Sequence, residues 1–250
     1  MDVKEEEILG PGVATHWYYV SKGRALRKLL KDTKVDEVLD VGAGSGVFSK
    51  QLIDAGLCKR AVCVDPAYPG ESREPYGAGE IRFVRSVERV TQRLVLMIDV
   101  LEHVDNDLDL LRRYTDTLPV GGLLLVSVPA FQFLWSGHDV FLEHRRRYLR
   151  GEVQRLMDAA DLRVLNNVYF FGTLFPVVAA MRLADRRRLA AGNIAPKSAL
   201  TGHSAWVNRS LILIHDLERD LLFPFNRLAG LSVFCLARRD EPTSLPDQAV

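Results

Sequence analysis

Val38-Leu39-Asp40-Val41-Gly42-Ala43-Gly44-Ser45-Gly46, followed by Val47 and Phe48, reads as an apolar strand that feeds a glycine turn and then a helix. Glycine permits positive φ and removes the Cβ that would hold a ligand away from the backbone. The same turn can also be no more than a tight strand–helix connection. Its spacing is G-x-G-x-G, whereas a dinucleotide site prefers G-x-G-x-x-G, whose last glycine allows close helix packing around a pyrophosphate. Asp65 ends the next apolar run about twenty residues on, where a carboxylate can accept both hydroxyls of a ribose. A ligand with a ribose but no pyrophosphate suits this pair better than NAD does.

Working outward, apolar runs of strand length alternate with segments of helical period over the first two-thirds of the chain, the pattern of a parallel α/β sheet. Residues 22–31 predict an amphipathic helix with Ala25, Leu26, Leu29 and Leu30 on one face. Seven strands are expected, at 37–41, 61–64, 81–84, 94–98, 123–128, 163–169 and 232–237. Further helices are expected at 47–55, 107–118 and 152–160. Residues 66–80, rich in Gly and Pro, read as a loop.

The composition narrows the class. The 250 residues are 48% hydrophobic and 26% charged, ordinary for a globular protein, and the net charge of +1 gives no reason to expect a nucleic acid partner. Cys58, Cys63 and Cys235 have neither zinc-ligand spacing nor an even count, and read as reduced thiols of a cytoplasmic protein. Residues 1–12 are acidic and polar, unlike a signal peptide. The uncharged stretch 168–181 contains Pro176 and is too short for about 30 Å of hydrocarbon.

Three motifs, in order, carry a family resemblance. Residues 40–46 resemble motif I of class I S-adenosylmethionine (SAM)-dependent methyltransferases, and Asp65 resembles their ribose-binding acid. Leu94-Val95-Leu96-Met97-Ile98-Asp99-Val100-Leu101-Glu102-His103-Val104 resembles their fourth-strand motif, and Leu118-Pro119-Val120-Gly121-Gly122-Leu123 the turn before their fifth strand. The resemblance implies an α/β Rossmann-like methyltransferase fold with a mostly parallel seven-stranded sheet and helices on both faces. It also implies that the turn of Gly42, Ala43, Gly44 and Gly46 passes beneath the methionyl part of SAM and that Asp40 bonds turn amides or the ligand amine. Asp65 would hold the ribose and Pro66 or Ala67 cover the adenine, while Ser86 and Val87 would border the adenine edge. Asp99, Val100 and Leu101 would sit by the transferable methyl. Where this family usually ends its third strand in an acid, this chain has Arg85-Ser86-Val87.

His16-Trp17-Tyr18-Tyr19-Val20-Ser21-Lys22 is either a hydrophobic staple for the first helix or a lid, with Trp17 excluding water from the sulfonium and Lys22 pairing with the methionyl carboxylate. The stretch resembles the opening of a bacterial branch similar to ubiquinone-biosynthesis O-methyltransferases, with Lys22 where that branch has Arg. The same branch resembles residues 128–148. There Trp135, Asp139, Arg146 and Tyr148 are candidate acceptor contacts, and His138, His103 and His144 candidate general bases, because imidazole titrates near neutral pH. A metal site at His138, Asp139 and His144 lacks a fourth ligand, so no metal is assigned.

The chain is thus expected to be one domain. It comprises an N-terminal lid and helix (1–34), a SAM-binding core (35–169), an apolar helical insertion (170–231), a last strand (232–239) and a tail (240–250). The insertion combines an apolar stretch at 170–178 with basic Arg182, Arg186, Arg187 and Arg188. It either caps the pocket, forms a homodimer face, or touches the inner membrane surface. The expected activity is methyl transfer to a hydroxyl of a small-molecule or lipid-like acceptor. The alternatives are a SAM-binding regulator or an NAD-dependent oxidoreductase.

Overall fold

A computed structural model describes residues 9–190 and 204–241, apart from the side chains of residue 11 and residues 185–190. Strand β1 (Glu37–Val41) lies at the centre of the sheet, between β2 (Arg60–Val64) and β5 (Leu94–Ile98), both parallel to it. Beyond β2 come β4 (Gly79–Val84) and β3 (Ser72–Tyr76); beyond β5 come β6 (Leu123–Pro129), β8 (Ser232–Arg239) and β7 (Leu162–Phe170). The five central strands are parallel, while β8 runs antiparallel to both β6 and β7. This is the expected Rossmann-like α/β architecture.

The sheet carries one strand more than expected. Residues 66–80 contain β3, which pairs antiparallel with β4 through a turn at Gly77, whose φ is +55°. Ser-Arg-Glu-Pro-Tyr has no apolar alternation because the strand sits at an edge and is almost wholly exposed, and the edge also tolerates Pro75. A second difference lies at the N-terminus. Helix α1 runs Trp17–Leu29 rather than 22–31, so the aromatic cluster lies within it. The His16 side chain caps the helix by accepting from the Tyr18 N–H at 3.3 Å.

Helix α2 (Val47–Asp54) starts on left-handed Gly46 and stops before Gly56, whose φ is +68°. Helix α3 (Asp107–Thr115) is capped by Asn106, and the short α4 (Gly137–Phe141) by a Ser136–Asp139 capping box. Next come α5 (Arg150–Ala159), α6 (Phe175–Ala190) and α7 (Ala205–Leu221), the last two forming the helical insertion. The core lies on both faces of the sheet. One layer packs Leu26, Leu52 and Phe170 against Leu96 and Phe234, and the other packs Leu111, Val153 and Met157 against Val95 and Val126.

The first two residues of the insertion do not face solvent, whereas Pro176 and Val177 further along are exposed. Phe170 and Phe171 are buried in an aromatic cluster with Trp17, His215, Phe223 and Phe234. Helix α7 is tied down by Glu218, which accepts from Gly172 N (2.6 Å), Thr173 N (3.2 Å) and Thr173 Oγ1 (2.6 Å). Asn208 links α7 to α1 by accepting from Trp17 N at 2.7 Å. Among the described residues no helix is long and apolar enough to cross a membrane. The side chains of Arg186, Arg187 and Arg188 lie outside the described residues.

Candidate active site

Connections leave β1 toward β2 on one side, and the chain crosses to β5 on the other. The carboxyl ends of β1 and β5 therefore flank a topological switch point, where open α/β sheets bind their ligands. A cleft of about 250 Å³ opens there. Asp40, Gly42 and Ala43 from the glycine turn line it, as do Ile98 and Asp99 from the end of β5. Gly42 has φ +67°, and a Cβ there would come within 2.8 Å of Val100 Cγ2, so the turn needs glycine for both conformation and space. Asp40 is buried and accepts from Ser49 Oγ at 2.8 Å, which fixes its carboxylate at the head of the turn.

Helix α1 supplies one wall. Trp17, Tyr18 and Tyr19 face the cleft, and Tyr18 stacks on Phe171 with ring centroids 5.6 Å apart. Lys22, one turn further along, is wholly buried and forms an ion pair with Asp99, and it also donates to Tyr18 Oη at 2.8 Å. Tyr18 Oη in turn donates to Asp99 Oδ2 at 3.1 Å. Asp99 and Phe171, which directly follow β5 and β7, have φ values of +53° and +61°. Such left-handed conformations in non-glycine residues cost of order 1–3 kcal/mol each and persist where the surroundings over-determine them. Both side chains line the cleft.

The segment after β6 supplies the floor. Asp139 is wholly buried. Arg147 grips it through Nε (2.7 Å) and Nη2 (3.0 Å), and Ser136 donates to it from N (2.8 Å) and Oγ (3.1 Å). Burial opposes ionisation of Asp139, but the His144 hydrogen bond and the Arg147 guanidinium outweigh it and hold the carboxyl well below its usual range. The His144 ring shares a hydrogen bond from Nδ1 to Asp139 Oδ1 at 3.0 Å. Its Nε2 is buried without a hydrogen-bond partner, and the ring borders the cleft. His138 borders the cleft as well, and burial lowers its pKa to about 4.

Glu102 also borders the cleft, and no reading of the sequence singled it out. Both of its carboxyl oxygens are buried without a partner, and burial, reinforced by the charge of Asp99, raises its pKa well above the ordinary range. His103 Nε2 is likewise unpartnered, and burial next to His144 brings its pKa to about 4. Glu102, His103 and His144 present ligand-type atoms within 4.8 Å of one another, the arrangement among the described residues that could hold a metal ion. The signal was present in Asp99-Val100-Leu101-Glu102-His103. What hid it was that His144, the third member, is distant in sequence.

Other expected site residues lie elsewhere. Asp139 supports His144 rather than lining the cleft. Tyr148 is buried, with its hydroxyl within hydrogen-bond distance of two acceptors, Leu101 O (3.1 Å) and Asp107 Oδ2 (2.9 Å). Arg146 binds Asp105 O (2.6 Å) and Asp107, bracing the loop after β5. Neither these two nor Trp135 lines the cleft. Ser86 and Val87 line a separate hollow with Glu37 and Arg60, Leu101 is buried, and Pro66 is exposed. Gly44, Gly46 and Asp65 sit at the far end of the glycine turn. There Asp65 Oδ2 accepts from Gly44 N (3.3 Å), Oδ1 accepts from Ala67 N (2.9 Å), and Tyr68 Oη donates to Gly44 O (2.6 Å).

Residues 15–167, from the capped start of α1 to the middle of β7, match the methyltransferase domain family. The chain belongs to this family. No curated relative matches this methyltransferase. Among solved structures, it resembles the methyltransferase in complex with the Trm112 activator of Haloferax volcanii, with 15% identity, 94% of each chain covered and a TM-score of 0.55. It also resembles the YcgJ protein of Bacillus subtilis, with 12% identity, 88% of this chain and 99% of that one covered and a TM-score of 0.51. These likenesses concern the fold. A phosphoethanolamine N-methyltransferase of Haemonchus contortus, solved with SAM, is 13% identical over 87% of this chain and 52% of that one, with a TM-score of 0.49. The protein is a SAM-dependent methyltransferase on a Rossmann-like fold.

Proposed function

We propose that the cleft holds the methionyl end of SAM above Gly42 and Ala43 and that the methyl passes to a hydroxyl of a small-molecule or lipid-like acceptor. Bound SAM supplies an activated sulfonium methyl, and the protein's task is alignment and proton removal. Gly42 offers close backbone approach, Asp40 an anchor near the ligand amine, and Trp17, Tyr18 and Phe171 an apolar screen against water. Asp65, already aimed at the turn, would exchange its bond to Gly44 N for the ribose hydroxyls. Lys22 is committed to Asp99, so its part is to hold that carboxylate and Tyr18 in place beside the methyl. A free grip on the methionyl carboxylate does not fit its ion pair. The apolar lining from Leu142, Leu174 and Val178 suits a hydrophobic acceptor in a cytoplasmic enzyme that meets the membrane from its inner face.

The observation that carries the mechanism is the Asp139–His144 pair. A buried carboxylate on Nδ1 orients the ring, stabilises the imidazolium and leaves Nε2 turned away from Asp139 to take a proton. This favours His144 over His138 and His103, whose low pKa values make them weaker bases. The test is methyl transfer from radiolabelled SAM to a mixed lipid and phenol extract. His144→Ala should lower transfer by about 10²–10⁴ while SAM affinity stays near the parent's. Equal transfer by variant and parent would remove His144 from the mechanism, and label transfer abolished by dialysis against chelator would make Glu102, His103 and His144 metal ligands instead.

A further inference from the structure

Helix α7 has two contrasting faces. Its inner face is buried or paired. His215 stacks on Trp17 at 5.4 Å, Glu218 binds the turn after β7, and Asp216 and Asp220 form ion pairs with Arg24, Lys28 and Arg219. Its outer face is apolar. Trp206, Leu213, Leu217 and Leu221 recur at spacings of seven, four and four, which places them on one stripe of a helix about 25 Å long. Trp206 is 77% exposed, and beyond the helix end Phe225 is 80% and Leu228 89% exposed. A continuous apolar face of this extent exceeds the scattered exposure normal for a monomer.

The charges around the stripe identify what covers it. The acids of α7 already have partners within the chain, whereas the exposed Arg209 and Arg227 have no ion-pair partner among the described residues. A second copy brought up by two-fold symmetry would set these cations against one another's like-charged face. An anionic bilayer surface meets both features, since it takes apolar side chains at the acyl boundary and arginines at the headgroups, and Trp suits that boundary. We infer that the outer face of α7, with Phe225 and Leu228, docks the methyltransferase on an anionic lipid surface. The docking helix also braces the cleft, because Asn208 and His215 hold Trp17, a cleft wall. The inference rests on the proposed lipid-like acceptor only for the direction from which that acceptor arrives.

Flotation of the full chain with phosphatidylethanolamine vesicles containing phosphatidylglycerol, compared with pure phosphatidylcholine vesicles, tests this. Binding at least tenfold stronger to the anionic vesicles is expected, falling with added salt. Leu213→Glu/Leu217→Glu should lose that binding, and Arg209→Gln/Arg227→Gln should lose the preference for anionic lipid. Calorimetric SAM binding by each variant reports folding and cofactor recognition separately, so failure of docking cannot be confused with failure of the methyltransferase reading. Absence of flotation by SAM-competent protein overturns the inference. So does a dimer in sedimentation that Leu213→Glu/Leu217→Glu dissociates, since that would make the stripe a protein interface.

Discussion

Replacing Asp139 by Asn keeps the shape of the side chain and removes the charge on which the cleft floor converges. The buried carboxylate accepts two bonds from Arg147, two from Ser136 and one from His144. The substitution turns an amide group toward these donors and leaves a mostly buried guanidinium, whose side chain is 11% exposed, without its counter-charge. Breaking one side of a buried pair costs about 3–5 kcal/mol. For a domain of this size that corresponds to a fall in Tm of about 6–20 °C. Urea unfolding followed by tryptophan fluorescence measures the loss, and label transfer from SAM should fall with it at temperatures where the variant stays folded. Asp139→Leu combined with Arg147→Met should be more stable than Asp139→Asn, because it removes both charges and leaves neither stranded. A loss below about 1 kcal/mol, the range of an exposed pair, would refute the reasoning.

Two further outcomes follow from the geometry. Asp65→Ala should weaken SAM binding by about 1–3 kcal/mol in calorimetry, the range for hydrogen bonds to a charged acceptor, and NAD should not bind; unchanged SAM affinity would remove Asp65 from ribose recognition. Acid should destabilise the fold between about pH 6.5 and 4, because His103 and His138 have folded pKa values of about 4 and the unfolded chain binds protons first. Their contribution is fully present above the unfolded value and is lost as pH falls, about 3 kcal/mol for each residue by the folded value. A stability slope over that window that is shallower in His103→Gln/His138→Gln than in the parent is the expected result; parallel slopes would contradict it.

The parallel strands were legible because burial on both faces leaves an uninterrupted apolar run, as at Leu94–Ile98, whose five residues are all buried. Strand β3 was not, since an exposed edge selects for charge and proline rather than for alternation. The start of α1 was obscured because His16 does not belong to the usual capping set of Ser, Thr, Asp and Asn. The glycine turn was readable because Gly42 answers a local demand, a positive φ and contact with Val100, that one stretch of sequence expresses. The cleft floor answers a distant demand. Asp139 resembled a substrate contact in sequence, but its partners Arg147 and His144 turn inward and make it a support.

That contrast bears on how the site is built. Lys22, Asp99, Glu102 and Asp139 are charged or ionisable groups at a buried junction, and the fold treats them unequally. Asp99 has Lys22, and Asp139 has Arg147, so each of these carboxylates is balanced by a fixed cation. Glu102 has neither cation nor hydrogen-bond donor on its oxygens, and burial holds its proton on. A neutral Glu102 spares the junction a third negative charge in the same low-dielectric region. Glu102→Gln, which makes that neutrality permanent, should therefore leave the fold no less stable than the parent at pH 7 and remove the loss the parent suffers as pH rises above the ordinary glutamate range, where the unfolded chain releases a proton that folded Glu102 keeps. Urea unfolding at pH 7 and pH 9 measures both. A large loss at pH 7 would show instead that the carboxylate form of Glu102 is part of the folded state, paired with a ligand such as the metal ion that His103 and His144 could share.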